Sequence, residues 1–311
     1  MIINPSPELE NFIVNGSAKS TPELLRLLKE KQIPFDKSNG KLLLDRSLEI
    51  LDEDRVLKEV QGVIRGATLL KLEIYRDIDS TNTQVLKSLE PEQLYICLAE
   101  RQSAGKGRRG RTWVSPFGRN VYLSIGRYMK GSMSGLEGLS LVAGMQAVDV
   151  LRELGLSGVG LKWPNDLILN GGKLGGILVE LKSQEDQGIG VVVGLGINLF
   201  ISGEDAKQID QPWSTVTRST GMSRNVLVGR FASKIAAALD EFERNGFSPF
   251  SKNWQNYNLY AGEKVKIQRG EDEFYGLDRG VDESGNLLIE TEYGLQSHNS
   301  GEVSLRIVSE P

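Results

Sequence analysis

Four short segments of this chain set charged side chains among glycines in patterns suited to anion chemistry. The first is Gly105-Lys106-Gly107-Arg108-Arg109-Gly110-Arg111-Thr112-Trp113, within residues 101–119, which hold six basic residues and no acidic one. Glycines let backbone N–H groups approach an anion closely, and arginine and lysine neutralise phosphate or carboxylate. The spacing G-x-G-x-x-G also marks dinucleotide sites, but there it must open a helix. Here Val114-Ser115-Pro116-Phe117-Gly118 follows, which reads as loop. What remains is a cationic loop ending in an indole. A solvated basic surface loop is the bland alternative; the glycine spacing and terminal tryptophan favour an anion site.

The second segment is Lys162-Trp163-Pro164-Asn165-Asp166, directly after an apolar run. Pro164 stops the strand and biases Trp163 to an extended shape. Lys162 then sits at a core boundary, where its charge is costly without a compensating anion. The third runs from Gly171 to Glu180. Gly171-Gly172 reads as a hairpin turn, Lys173 as a partner for a carboxylate or phosphate, and Gly175-Gly176 as a place where a ligand or backbone comes close. The fourth is Gly194-Leu195-Gly196-Ile197-Asn198, again glycines late in an apolar strand.

The residue inventory narrows the chemistry. One cysteine, Cys97, excludes an intrachain disulfide framework and CxxC sites, and one histidine, His298, excludes His-pair zinc sites and disfavours a Ser-His-Asp hydrolase. Cys97 reads as a buried small hydrophobe and His298 as part of a polar loop. Lysine plus arginine number 37 and aspartate plus glutamate 41, a net charge of −4, too balanced for a surface built wholly for nucleic acid. Neither a signal peptide nor an apolar run of about 18 residues is present, and with the unpaired cysteine this points to the cytoplasm.

The elements that must position these segments read as mixed α and β. Expected strands are Leu70–Tyr75, Leu94–Glu100, Asn120–Ile125, Val159–Trp163, Lys173–Leu181 and Gly190–Asn198, with helices at Leu136–Leu154, Asn225–Arg244 and Pro249–Tyr257. In the first helix Leu139, Val142, Met145, Val148 and Leu151 form a core stripe. Trp254, Tyr257 and Tyr260 recur at helical spacing as packing residues. From Gly262 short alternating runs, Lys264–Gln268, Glu273–Val281, Leu287–Glu290, Leu295–His298 and Val303–Val308, predict a small β-barrel.

Residues 1–64 read as a separate acidic module. Thr21-Pro22 opens a helix, Asn39-Gly40 turns a hairpin, and a second helix covers Asp52 to Val60. The pattern resembles the end of a winged helix-turn-helix, although the stretch before Thr21 is too short and too rich in Pro, Asn and Gly for two preceding helices. Nine basic against eleven acidic residues give a net −2, which argues against phosphate contacts and for a role in packing or dimer contacts.

Taken together, the segments resemble the biotin–protein ligase family from about residue 66 to the end. The matching motifs are the arginine loop, the Lys-Trp-Pro-Asn-Asp turn, the Gly-Lys-x-x-Gly-Ile-Leu strand, the Gly-x-Gly-x-Asn strand, Ser80-Thr81-Asn82 before a helix, and Gly301-Glu302-Val303-Ser304-Leu305-Arg306. The resemblance implies an α+β fold: a winged-helix-like module at 1–64, a mixed-sheet catalytic domain at 65–261 and an SH3-like barrel at 262–311. It implies an ATP- and Mg2+-dependent ligase that forms biotinyl-5′-AMP and passes biotin to a lysine of the biotin carboxyl carrier protein of acetyl-CoA carboxylase. Ser80, Thr81, Asn82, Gln102, Gly105, Lys106, Lys173, Gly175, Gly176 and Gly194 would then hold biotin. Arg108, Arg109, Arg111, Trp113, Asn198, Trp213 and Arg306 would hold ATP and the adenylate, and Lys173, Arg108, Lys162 and Asp166 would serve the reaction, Asp166 towards Mg2+.

Lys106 stands where many family members have arginine, which keeps charge but loses bidentate geometry, and Gly175 replaces an alanine. Two alternatives remain open: a bifunctional ligase and repressor of biotin genes with biotinyl-AMP as corepressor, and a lipoyl or octanoyl transferase of the same superfamily. The resemblance also implies a homodimer along the central sheet, for which Asn120–Ile125 is the expected edge strand.

Overall fold

A computed structural model describes residues 2–3, 6–60, 69–130, 133–184, 188–216, 223–300 and 304–307. Gly301-Glu302-Val303 of the family's closing segment lie outside the described residues.

The chain begins with β1 (Ile2–Ile3), α1 (Pro7–Asn15), β2 (Ser17–Lys19), α2 (Pro22–Glu30), the hairpin β3 (Phe35–Ser38) and β4 (Lys41–Leu44), and α3 (Glu53–Val60). One helix, α1, therefore precedes Thr21. The prolines and glycine there punctuate it: Ser6 caps its N-terminus, Pro7 begins it, and Gly16 ends it at φ 67°. Asn39 and Gly40 both have positive φ, the hairpin turn expected. Leu9, Phe12, Ile13, Leu24, Leu28, Ile33, Leu42 and Leu44 make a small core with one residue from far along the chain, Phe117. Helix α3 turns its Val56 and Val60 into the main core instead.

An eight-stranded mixed sheet follows. Its strands are β5 (Leu69–Tyr75), β6 (Gln93–Ala99), β7 (Val121–Met129), β8 (Gly160–Lys162), β9 (Asp166–Leu169), β10 (Gly172–Gln184) and β11 (Gly188–Ile197), with β1 added, in the order β1-β5-β6-β7-β11-β10-β9-β8. Strands β1, β5 and β6 run parallel and the other pairings are antiparallel. Strand β7 lies between β6 and β11, so Asn120–Ile125 is interior and not an edge; the edges are β1 and β8. The sequence reading also missed β9, because its run Asp166–Leu169 is only four residues long.

Alternation divides the sheet faces. Tyr95 and Cys97 of β6 pack under α4 (Thr81–Ser88) with Val85 and Val192, whereas Leu94, Ile96 and Leu98 join the main core. That core is built with α5 (Leu139–Glu153) and α7 (Arg224–Asn245), which pack on each other. The α5 stripe is buried as expected, and so are Leu141, Ala143, Ala147 and Val150, which makes α5 a central helix. The expected helix Pro249–Tyr257 is shorter: α6 (Gly203–Ala206) and α7 are followed by the single turn α8 (Ser248–Ser251) and a 3-10 turn at Trp254–Asn256.

The C-terminal part is a five-stranded antiparallel sheet of β12 (Lys264–Arg269), β13 (Asp272–Val281), β14 (Leu287–Thr291), β15 (Gly294–His298) and β16 (Ser304–Ile307), ordered β15-β14-β13-β12-β16. His298 lies on β15 and is buried, not in a polar loop, with Nδ1 2.9 Å from Arg269 Nη2. Trp163 Nε1 donates to Gly285 O at 3.0 Å and fastens this sheet to the end of β8. Among the described residues no helix is long and apolar enough to cross a membrane.

Candidate active site

The antiparallel register brings the four sequence segments to one end of the large sheet. Lys162 at the end of β8 faces Asp166 at the start of β9, Gly176 of β10 faces both Asp166 and Gly196, and Gly196 in turn faces Tyr122. A cleft of about 830 Å3 opens there. It is lined by Ser80, Thr81, Asn82, Gln102, Lys106, Arg108, Arg109, Arg111, Trp113, Lys162, Asp166, Lys173, Gly176, Gly194, Asn198, Trp213 and Arg306.

The arginine loop is a tight hairpin with a 3-10 turn at Arg108–Gly110 and opens no α-helix. Gly107 N donates to Arg111 O at 2.7 Å, Trp113 N donates to Gly105 O at 2.9 Å, and Lys106 bridges Thr112. At its tip Arg109 and Gly110 take the left-handed conformation, with φ 56° and 74°, which glycine adopts at little cost. Arg108 leaves the tip for the cleft wall, donating to Asn165 Oδ1 at 3.1 Å and to Ser300 O at 2.6 Å. Burial lowers its pKa first, with Arg109 and Arg111 adding to the effect and Asp166 opposing it.

Lys173 Nζ lies 2.6 Å from Asp166 Oδ1 and 5.8 Å from the centre of the Trp113 ring. Its backbone is pinned by Pro212 O and Ser214 N, each at 2.9 Å, so the segment carrying Trp213 runs beside it. Lys162 has a lowered pKa: burial is the main cause, Lys173, Arg306 and Arg111 add to it, and Asp166 opposes it. Positive charges are thus crowded around the Asp166 carboxylate, an arrangement that a bound polyanion would relax.

Several glycines serve packing more directly than ligand approach. Gly105 and Gly175 do not line the cleft; a Cβ on Gly105 would stand 2.6 Å from Trp113 O, and one on Gly175 2.6 Å from Gly196 O. The hairpin turn is Asn170-Gly171, both at positive φ. Gly172 already belongs to β10, and it is bare because Trp213 O lies 2.5 Å from where its Cβ would be. A Cβ on Gly196 would stand 2.6 to 2.8 Å from the Trp113 ring, so the indole lies flat on bare backbone.

At the other pole Ser80 caps α4, and Thr81 N donates to Gln102 Oε1 at 2.9 Å. Asn82 Nδ2 donates to Leu178 O and Glu180 Oε2, at 3.2 and 2.8 Å. Sequence reasoning assigned no role to Asn165, which clamps Arg108 and whose Nδ2 donates to Ile177 O at 2.8 Å. It also missed the lining stretch Gln208 to Pro212, which carries no local motif.

Both stems of the loop are held by the N-terminal module. Phe117 is fully buried in its core, Gly118 abuts Leu48, and Arg119 pairs with Asp45 at 2.9 Å. Arg101 pairs with Asp77 at 2.6 Å, and Lys31 reaches the same carboxylate at 2.8 Å. Deeper, the buried Glu100 accepts from Arg224 at 2.6 Å, from Arg76 at 3.4 Å and from Leu51 N at 2.6 Å.

A mixed sheet bearing a cationic, glycine-lined cleft, followed by a small antiparallel sheet, defines the class: residues 74–198 match the biotin/lipoate A/B protein ligase family and residues 260–306 the biotin protein ligase C-terminal domain. The chain is similar to the bifunctional ligase/repressor BirA of Escherichia coli (strain K12), at 38% identity over 297 residues, covering 95% of this chain and 83% of that protein. It is 33% identical to the biotin–[acetyl-CoA-carboxylase] ligase of Paracoccus denitrificans, covering 72% of this chain and 96% of that one. Its fold is similar to that of the Aquifex aeolicus biotin protein ligase solved with biotin and ATP, with a TM-score of 0.63, 30% identity, and coverage of 76% and 99%. The chain belongs to the biotin–protein ligase family.

Proposed function

We propose that this chain activates biotin with ATP to biotinyl-5′-AMP and pyrophosphate, then transfers biotin to a lysine of the biotin carboxyl carrier protein of acetyl-CoA carboxylase. The observation that carries this reading is the convergence of Lys173, Asp166, Lys162, Arg108 and Trp113 in one cleft. Attack of a carboxylate on an α-phosphate requires positive charge between two anions and at the leaving pyrophosphate. Lys173, held by Asp166, is placed to bridge the biotin carboxylate and the phosphate. Arg108, Arg109, Arg111, Lys162 and Arg306 surround the polyphosphate, and Trp113, Trp213 and Asn198 the adenylate. Ser80, Thr81, Asn82 and Gln102 supply the polar pole for the biotin ring. Lys106, Gly176 and Gly194 shape the walls between the two poles, and Gly105 and Gly175 let the backbone behind those walls pack closely.

The donor set also suits Mg2+ delivered with the nucleotide. Among the described residues no group of three or more His, Cys, Asp or Glu forms a cage, and Mg2+ is usually held by one or two carboxylates plus substrate phosphates. Asp166 would hold it, and the ion would add Lewis-acid neutralisation of phosphate oxygens. In this reading residues 1–64 are a reduced winged-helix-like module, 65–261 the catalytic domain and 262–311 an SH3-like barrel, in a cytoplasmic homodimer.

Incubation with biotin, ATP and Mg2+ followed by mass spectrometry should detect bound biotinyl-AMP. Absence of that species, together with absence of biotin-dependent ATP–pyrophosphate exchange, would overturn the proposal; exchange with lipoate instead would favour the lipoyl-transferase reading. The repressor role is favoured by the similarity to bifunctional ligase/repressors and opposed by the net −2 of residues 1–64. Gel shift of the cognate biotin-operon promoter with and without biotin plus ATP decides between them: a shift only with both ligands establishes repression.

A further inference from the structure

We infer that Ser124 and Ser115 are positioning residues, two hydroxyls behind the cleft that set its polar pole and tie that pole to the stem of the arginine loop. The inference rests on the ligase reading above. Neither serine lines the cleft. Ser124 is 0% exposed in the middle of β7 and Ser115 is 8% exposed just beyond Trp113. A buried hydroxyl in an apolar strand is unfavourable unless partnered, and both are partnered by the residues that the ligase reading places against biotin.

The contacts form one unbroken string. Donation from Asn82 Nδ2 to Leu178 O and Glu180 Oε2 leaves its Oδ1 facing Ser124 Oγ at 2.5 Å. Ser124 Oγ is also 2.7 Å from Thr81 Oγ1. Thr81 offers its N–H to Gln102 Oε1 at 2.9 Å, which turns Gln102 Nε2 outward. That amide donates to Ser115 Oγ at 3.3 Å, and Ser115 donates to Trp113 O at 2.8 Å. Each hydroxyl carries one proton: Asn82 Oδ1 has none and takes that of Ser124, Ser124 Oγ in turn accepts from Thr81 Oγ1, and Ser115 gives its own to the Trp113 carbonyl.

Two glycines make room for it. A Cβ on Gly194 would overlap Asn82 Oδ1, and one on Gly105 would stand 2.7 Å from Ser115 Oγ and 3.2 Å from Gln102 Nε2. Ser124 therefore acts on the biotin pole alone, through Thr81 and Asn82. Ser115 acts on both poles, through Gln102 on one side and the Trp113 stem on the other.

The test is titration calorimetry with biotin and biotin-dependent ATP–pyrophosphate exchange, on full-length protein, for wild type, Ser124→Ala and Ser115→Ala. Wild type must exchange; if it does not, the ligase reading fails before this one is reached. Ser124→Ala should raise the biotin Kd about tenfold with the KM for ATP within about twofold of wild type. Ser115→Ala should raise both about fivefold or more. In the double variant the biotin penalty should be smaller than the product of the two single penalties, because both act through one string. Should Ser124→Ala not fold, Ser124→Cys, which keeps the volume and a weak donor, carries the same test with an intermediate effect. Equal weakening of biotin and ATP by the Ser124 variant, or no change in biotin affinity in an exchange-competent background, overturns the inference.

Discussion

Lys173→Ala removes the ammonium group that is ion-paired with Asp166 in the cleft. The group is 2.6 Å from that carboxylate, its side chain is 16% exposed, and its backbone is fixed on both sides. One positive charge about 4 Å from a phosphate oxygen, at an effective dielectric near 20, is worth about 4 kcal/mol. At about 1.4 kcal/mol per factor of ten this is a loss of about 10^3 in rate. Asp166 offsets part of the charge and water reaches the open cleft, so the expected fall in kcat/KM for biotin-dependent ATP–pyrophosphate exchange is about 10^2 to 10^3. Arg108 and Lys162 remain to compensate Asp166, so the variant should fold, with a thermal midpoint close to wild type. Lys173→Arg should recover only part of the loss, since a planar fork does not reproduce a compact ammonium. A folded Lys173→Ala protein within tenfold of wild type would refute the electrostatic role assigned to this residue.

Gly196→Ala would press a methyl against the Trp113 indole, where a Cβ stands 2.6 Å from the ring. Adenylate retention after gel filtration should fall at least tenfold while circular dichroism is unchanged, and full retention would show that the indole has no part in binding. Phe117→Ala empties a fully buried site in the N-terminal core and should cost about 3–5 kcal/mol by urea denaturation, with faster proteolysis of the arginine loop. Resistance equal to wild type would sever the link between module and loop. Asp278 is 1% exposed, and burial raises its pKa from 3.8 to about 6, against the opposing bonds from Gly280 N and Asn258 Nδ2. The folded chain therefore holds a proton the unfolded chain has released; the stabilisation is complete below about pH 4 and is lost as pH rises through about 6. Asp278→Asn should flatten that dependence and at pH 7 gain up to about 3 kcal/mol over wild type, and identical pH profiles of the urea midpoint would refute it.

Helices α5 and α7, the long strands and the five C-terminal strands were legible because their apolar period runs over many residues. Short elements were not: β9 and α1 offer four and nine residues, and α1 is written mostly in its caps. The missing length of the expected helix Pro249–Tyr257 has a different cause. Trp254 is buried in the main core, and its spacing from Tyr257 and Tyr260 arises from a 3-10 turn and a bend instead of an α-helix.

The sequence by itself determined the chemistry. The arginine loop, the Lys-Trp-Pro-Asn-Asp turn and the two glycine strands are local arrangements of charge and bare backbone, and together they point to an anion site and carry the resemblance to the family. Only the tertiary structure decided who stands beside whom. It made β7 interior, turned Phe117 into a core residue of the N-terminal module, and put Asn82 against bare Gly194 and the Ser115 hydroxyl against bare Gly105. Strand register fixes these neighbours, and a slip of one residue would exchange the faces of every side chain. Strand β7 takes its register from β11, with Ile125 opposite Val193, a pairing between distant segments that no local stretch of sequence encodes.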